Sequence, residues 1–188
     1  MGTHEHAHRT GLGAVAGAAA VGLIAGLVAD RGRKAMTQAA EGLAGDWVDV
    51  LKAEHLMVFE LFDRLEATAA NETGKRTRML IKIRQAITKH AVQEENVVYP
   101  ALARADPSGE AAKLFADHAD VKTALYELEV LAKDDPQWMP KARALRHNIE
   151  EHARKEEDEI FPALRNRLSD EDSAKLTALM LKEGQRLA

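Results

Sequence analysis

Four histidines and two glutamates stand on helical seams that are otherwise apolar: His55, His90, Glu94, His118, His152 and Glu156. His90 and Glu94 are four residues apart, as are His152 and Glu156, so each pair lies on one helix face, one turn above the other. An ionised carboxylate facing a core is costly unless it is paired or bound to a cation, and here one appears on two separate seams. A metal ion would remove that cost. The chain has no cysteine, which excludes disulfides, a thiolate nucleophile and iron–sulfur or zinc–thiolate sites. Imidazole and carboxylate remain as donors, a set compatible with iron. Taken singly, a seam histidine is more often a hydrogen-bonded core residue, and Glu156 lies in a charged run, Lys155 to Glu159, that reads by default as a solvated face. The recurrence on four seams is what points to a site.

The elements that must position these residues follow from apolar periodicity at steps of three and four. The first segment carries Val48, Leu51, His55, Val58, Phe62 and Leu65; the second carries Leu80, Ile83, Ile87, His90, Glu94 and Val97. After Asp106-Pro107-Ser108, the third carries Ala111, Leu114, His118, Val121, Leu125 and Leu128. After Asp134-Asp135-Pro136, the fourth carries Leu145, Ile149, His152, Glu156, Ile160 and Leu164. Aromatics are scarce at 4%, and no stretch alternates as a strand would. The chain therefore reads as all-α, with residues 41–168 forming an up-down-up-down four-helix bundle joined by short connections. Ser169 and Asp172 resemble a capping box opening a C-terminal helix within residues 169–188. Pro100 and Pro162 should kink or end their helices just after the ligand turn. Trp47 and Trp138 are read as packing residues near helix starts.

The bundle also repeats. HAVQEENVVYPAL (90–102) and HARKEEDEIFPAL (152–164) match at the histidine, at two successive glutamates, at an aromatic followed by proline, and at Ala-Leu. A duplicated hairpin predicts a pseudo-twofold site that holds two metals, each taking two histidines, with Glu94 and Glu156 able to bridge. Removal of the metals should leave two buried carboxylates and four imidazoles near one another, raise the pKa values of Glu94 and Glu156 and destabilise the fold.

Residues 1–40 have a different composition. A polar tail with His4, His6 and His8 precedes residues 11–29, which contain no charged or polar side chain. A helix of that length would measure about 28 Å, close to a bilayer's hydrocarbon core. Gly13 and Gly17, then Gly22 and Gly26, have the spacing that lets membrane helices approach. The segment is read as a membrane anchor or assembly helix that favours a homo-oligomer; Arg31, Arg33 and Lys34 after it would leave the bundle in the cytoplasm. A cleaved signal peptide and a tail on a soluble cytoplasmic protein are the alternatives. The net charge of -4 and the lack of a basic stripe argue against a nucleic-acid partner.

The ordered set His55, His90-xxx-Glu94, His118 and His152-xxx-Glu156 resembles the hemerythrin-like, or HHE cation-binding, family over about residues 45–168. The resemblance implies a four-helix bundle around two iron ions, a non-haem centre able to carry an oxo bridge and to meet dioxygen, peroxide or nitric oxide. Binding or sensing of such a ligand comes first. A peroxide- or NO-processing enzyme, and a membrane-associated oligomeric scaffold with an iron-binding module, are the rival readings. Oxygen-carrying members place a second histidine four residues after the third-helix histidine, where this chain has Lys122. That departure argues against reversible oxygen carriage. Lys122 either enters the pocket or snorkels to water. Tyr99 is read chiefly as a residue supporting the ligands, with direct contact to iron as another option. His147, about 140° round its helix from His152, is excluded as a ligand.

Overall fold

The computed structural model describes residues 45–187, and among these every regular element is helical. Helix α1 (Trp47–Glu66) starts where Asp46 accepts the Val48 and Asp49 amides and Asp49 reaches back to the Asp46 amide, a reciprocal cap. Helix α2 (Thr73–Gln93) runs through a π-turn (Glu94–Val98) into α3 (Tyr99–Ala105). Helix α4 (Glu110–Val130) follows Gly109, whose φ of 91° suits a residue without a Cβ. Helix α5 (Trp138–Lys155) runs through a second π-turn (Glu156–Ile160) into α6 (Phe161–Arg165). Helix α7 (Asp170–Gln185) is capped by the Ser169 hydroxyl, which accepts from the Asp172 amide as the sequence suggests.

Short connections make the neighbours antiparallel. Helix α1 lies against α2 and α5, and α4 lies against α5, α2 and α3. Helix α7 is laid over α1, α2 and the first π-turn. Two apolar clusters fill the bundle. One gathers Trp47, Leu51, Val98, Leu114, Phe161 and Met180; the other gathers Phe62, Leu65, Ile83, Leu128, Trp138 and Leu145. The seam histidines and glutamates belong to neither cluster, and along each helix they fall between the residues of one and the residues of the other. Trp47 and Trp138 open their helices fully buried; the Trp138 indole donates to the Leu128 carbonyl and lies under the Arg76 guanidinium.

The prolines do not end the helical run as the sequence allowed: Pro100 and Pro162 stand in the first turn of short helices that follow directly on the π-turns. A proline removes the bond to the carbonyl four residues back, and its ring crowds that carbonyl. Here the disturbance is taken up one step earlier: the Tyr99 amide donates to the Glu94 carbonyl and the Phe161 amide to the Glu156 carbonyl, five residues back, and helix resumes. No helix among the described residues is long and apolar enough to cross a membrane. The expected anchor at residues 11–29, and the assembly ascribed to it, lie outside the described residues.

Candidate metal centre

The six seam residues meet in one layer. Each long helix of the bundle supplies one histidine with its Nε2 turned inward, and the two π-turns begin at the two glutamates, which are fully buried. The histidines divide into two groups. His55, His90, Glu94 and Glu156 present ligand atoms within 4.8 Å of one another, and so do Glu94, His118 and His152. Glu94 Oε2 lies 3.2 Å from His90 Nε2 and 3.3 Å from His118 Nε2, which makes this carboxylate common to both groups. Glu156 spans them with its two oxygens, Oε2 at 3.4 Å from His55 Nε2 and Oε1 at 3.4 Å from His152 Nε2.

Outside this layer runs a ring of carboxylates absent from the sequence reading. His90 Nδ1 meets Glu54 at 3.1 Å, His118 Nδ1 meets Glu95 at 2.9 Å, His55 Nδ1 meets Glu157 at 2.8 Å, and His152 Nδ1 meets Asp117 at 3.5 Å. A carboxylate at Nδ1 fixes the ring's orientation and leaves Nε2 as the coordinating nitrogen. Each outer carboxylate is the chain neighbour of an inner residue on its own helix, yet it serves a histidine of the next helix round. The sequence held a signal for this, because an acidic residue adjoins an inner residue in Glu54-His55, Glu94-Glu95, Asp117-His118 and Glu156-Glu157.

Tyr99 enters the layer through the π-turn. In a regular α-helix, a residue five after Glu94 would point about 140° away from it. With i to i+5 bonding the two come together, and the buried Tyr99 hydroxyl donates to Glu156 Oε1 at 2.7 Å and lies 3.3 Å from Glu94 Oε2. It also stands 3.0 Å from His118 Nε2 and 3.3 Å from His152 Nε2. The matching residue of the other half, Phe161, stacks on His55 with ring centroids 6.4 Å apart and has no polar atom to offer. The halves therefore differ. Of the five buried side-chain polar atoms without a partner among the described residues, four are His55 Nε2, His90 Nε2, Glu94 Oε1 and Glu156 Oε2. Orphaned acceptors and imidazole nitrogens in one pocket fit a cation, and the donor set fits iron.

Without metal, His90 and His152 are drawn toward the charged form. Burial works against the His90 imidazolium, but the Glu94 charge and the hydrogen bonds of Glu54 and Glu94 overcome it and raise its pKa from 6.5 to about 10. His152 is raised in the same sense, burial being outweighed by Glu156. Burial raises Glu94, yet His90 and His118 together hold it well below its ordinary range. Glu156 is also lowered, with His152 and His55 prevailing over burial and the Glu94 charge. This corrects the expectation of raised carboxylates: the imidazoles that share the layer outweigh burial and the charge of the other acid. Burial and both carboxylates push the Tyr99 phenol up, so it stays a proton donor.

Lys122 does not enter the pocket. Its side chain is half exposed and its amine bonds Glu95 Oε1 at 2.6 Å, which in turn holds His118 Nδ1. The Lys122 charge is placed on a ring carboxylate at the bundle surface. His147 pairs with Glu151 on the exposed face, away from the layer.

A four-helix bundle with two linked His/Glu groups at its centre defines a metal-binding bundle of hemerythrin type. The chain belongs to the hemerythrin HHE cation-binding domain family, whose model matches residues 46–164. It is 28% identical over 139 residues to a DNA nickase of a Nostoc species, covering 74% of this chain and 39% of that protein. It is 29% identical over 110 residues to an uncharacterised hemerythrin-like protein of Schizosaccharomyces pombe, covering 56% of this chain and 53% of that one. The chain thus spans about two fifths and about half of these curated relatives. The fold is shared with a solved hemerythrin HHE cation-binding domain-containing protein of Mycobacterium kansasii, at a TM-score of 0.67 and 21% identity over 76% of this chain and 86% of that one.

The electrostatics fix a sign. His90 is raised, so its contribution to metal-free stability is complete below 6.5 and is lost as pH rises through about 10. Metal binding requires the neutral ring and so displaces that proton. The melting temperature of chelated protein is expected to fall between pH 6.5 and about 10, while that of iron-loaded protein holds. Parallel melting curves across this window would contradict the assignment.

Proposed function

We propose that this chain is a non-haem di-iron protein that binds or senses dioxygen, peroxide or nitric oxide. His55 and His90 would hold one iron, His118 and His152 the other, and Glu94 and Glu156 would be shared. The observation that carries the reading is the set of four inward Nε2 atoms around two fully buried carboxylates, with four buried polar atoms left without a hydrogen bond. Iron in such a donor set supplies redox-active positions open to a small ligand. The chain's own contribution is to orient and to exclude. Four outer carboxylates orient the rings, two apolar clusters close the layer above and below, and Tyr99 holds a proton on the His118 and His152 side.

That last feature favours peroxide processing as a second reading, because a phenol kept protonated by its surroundings is a proton donor aimed into the site. Tyr99→Phe separates the two. Oxygen evolution from peroxide by iron-loaded protein, at least tenfold lower in Tyr99→Phe at equal iron content, supports the enzyme; no oxygen evolution from wild type leaves binding or sensing. Both readings require about two irons per chain in wild type and a lower content in Glu94→Ala. Metal-free but fully folded wild-type protein after growth and refolding with iron would sink both.

Nucleic acid is outside this reading. The chain's net charge is -4, and among the described residues most Lys and Arg side chains lie within 4.0 Å of a carboxylate. A supercoiled plasmid incubated with iron-loaded protein is expected to stay supercoiled; conversion to open circles would bring the nickase relative's chemistry to this chain.

A further inference from the structure

The two hairpins are alike within the metal layer and unlike outside it. His55 to His118 is 63 residues (118 − 55) and His90 to His152 is 62 (152 − 90), so Glu54 corresponds to Asp117, Lys89 to Glu151 and Gln93 to Lys155. On the His90 side, Glu54 collects Lys89 Nζ at 2.8 Å, His90 Nδ1 at 3.1 Å and the Gln93 amide nitrogen at 2.8 Å. Helix α7 seals this arrangement. Gly184 rests on it so closely that a Cβ there would come within 2.8 Å of the Gln93 amide and 3.0 Å of Lys89 Cε.

Among the described residues, no helix lies over the corresponding seat at His152. Instead there is a cavity of about 260 Å³ lined by Asp117, Asp120, Asn148, Glu151, His152 and Lys155, together with Val121. Its innermost polar wall is a member of the metal layer. Three of the four outer carboxylates have a lysine within reach: Lys89 on Glu54, Lys122 on Glu95 and, at 4.0 Å, Lys52 by Glu157. Among the described residues no lysine or arginine pairs with Asp117, which is 45% exposed and holds His152 at the longest distance of the ring, 3.5 Å. Lys155, the one lysine or arginine lining the cavity, is turned to Glu110 at 3.0 Å. The cavity wall thus carries three carboxylates, of which Glu151 also meets His147 at 3.5 Å, against one engaged ammonium and the His152 imidazole.

We propose that the cavity at His152 is the entrance through which divalent iron reaches the metal layer, the equivalent face at His90 being closed by α7. This rests on the reading of the layer as an iron site. A pocket of one charge sign raises the local concentration of the opposite ion and its rate of arrival. An exposed carboxylate already in contact with a ligand histidine offers the first oxygen to a cation losing its water. Asp120 and Glu151 draw the ion in, and neither touches a residue of the layer.

The test is the rate of Fe²⁺ uptake by the metal-free full chain under anaerobic conditions, followed as loss of free Fe²⁺ to a colorimetric chelator. The Asp120→Asn, Glu151→Gln double variant is expected to load roughly three- to tenfold more slowly at low salt, with a flatter salt dependence and an unchanged final iron content. Asn148→Trp, which fills the cavity, should slow uptake at any salt. Gly184→Val, which lifts α7 from Gln93, should open the second face and speed uptake in the Asn148→Trp background. Wild-type rates in a correctly folded double variant overturn the entrance, as does faster uptake in Gly184→Val with no effect of either cavity change. Slow uptake to a normal endpoint leaves the iron site intact and supports the entrance. Failure of wild type to take up any iron removes the site and the entrance with it.

Discussion

Glu94 and Glu156 are buried without residual exposure in the same layer of a helical bundle, and everything around them answers to that cost. A carboxylate removed from water must be met by cations or donors. Four imidazoles supply them, one from each long helix, and those imidazoles are themselves held by four carboxylates one step further out. The layer is a nested arrangement of alternating sign that closes around the bundle. In it, each helix contributes an inner residue and steers a histidine of its neighbour. Helix packing and metal-site geometry are for this reason the same set of contacts.

The π-turns are the backbone's part in that arrangement. Each begins at an inner glutamate and ends one residue before an aromatic, and each relieves the crowding of the proline that follows. Their effect is to turn the aromatic toward the layer. One half then receives a phenol and the other a bare ring, so a duplicated hairpin yields a centre with a polar side at His118 and His152 and a side at His55 and His90 that offers only ligands. The sealing of the His90 face by α7 adds to the same asymmetry.

The six inner residues were legible in the sequence because a 3.6-residue period places them on seams that the apolar residues define. The bundle class was legible for the same reason, and the cap at Ser169 from its spacing to Asp172. The ring of outer carboxylates was not. Glu54, Glu95, Asp117 and Glu157 are displaced about 100° from the seam, where a solvated charge is the default, and only the packed neighbour helix reveals the histidine they meet. Tyr99 was reachable only as one option among several, since regular helical geometry points it away and the π-turn that redirects it has no simple sequence signal beyond the proline. The lowered pKa values of Glu94 and Glu156 were missed because burial and the mutual charge of the two acids were expected to prevail over the neighbouring imidazoles, and in the packed layer the hydrogen bonds and charge of the imidazoles prevail instead. Lys122 was read against a histidine it replaces; in the structure it supports His118 through Glu95.

The central claim is that the six inner residues hold two metal ions at positions set by the two histidine pairs. The most direct measurement is anomalous diffraction at the iron edge from crystals of iron-loaded protein. The account predicts two peaks inside the bundle, one within bonding distance of His55 Nε2 and His90 Nε2 and the other within bonding distance of His118 Nε2 and His152 Nε2, with Glu94 and Glu156 reaching both. A single peak, or none within the layer, would contradict it.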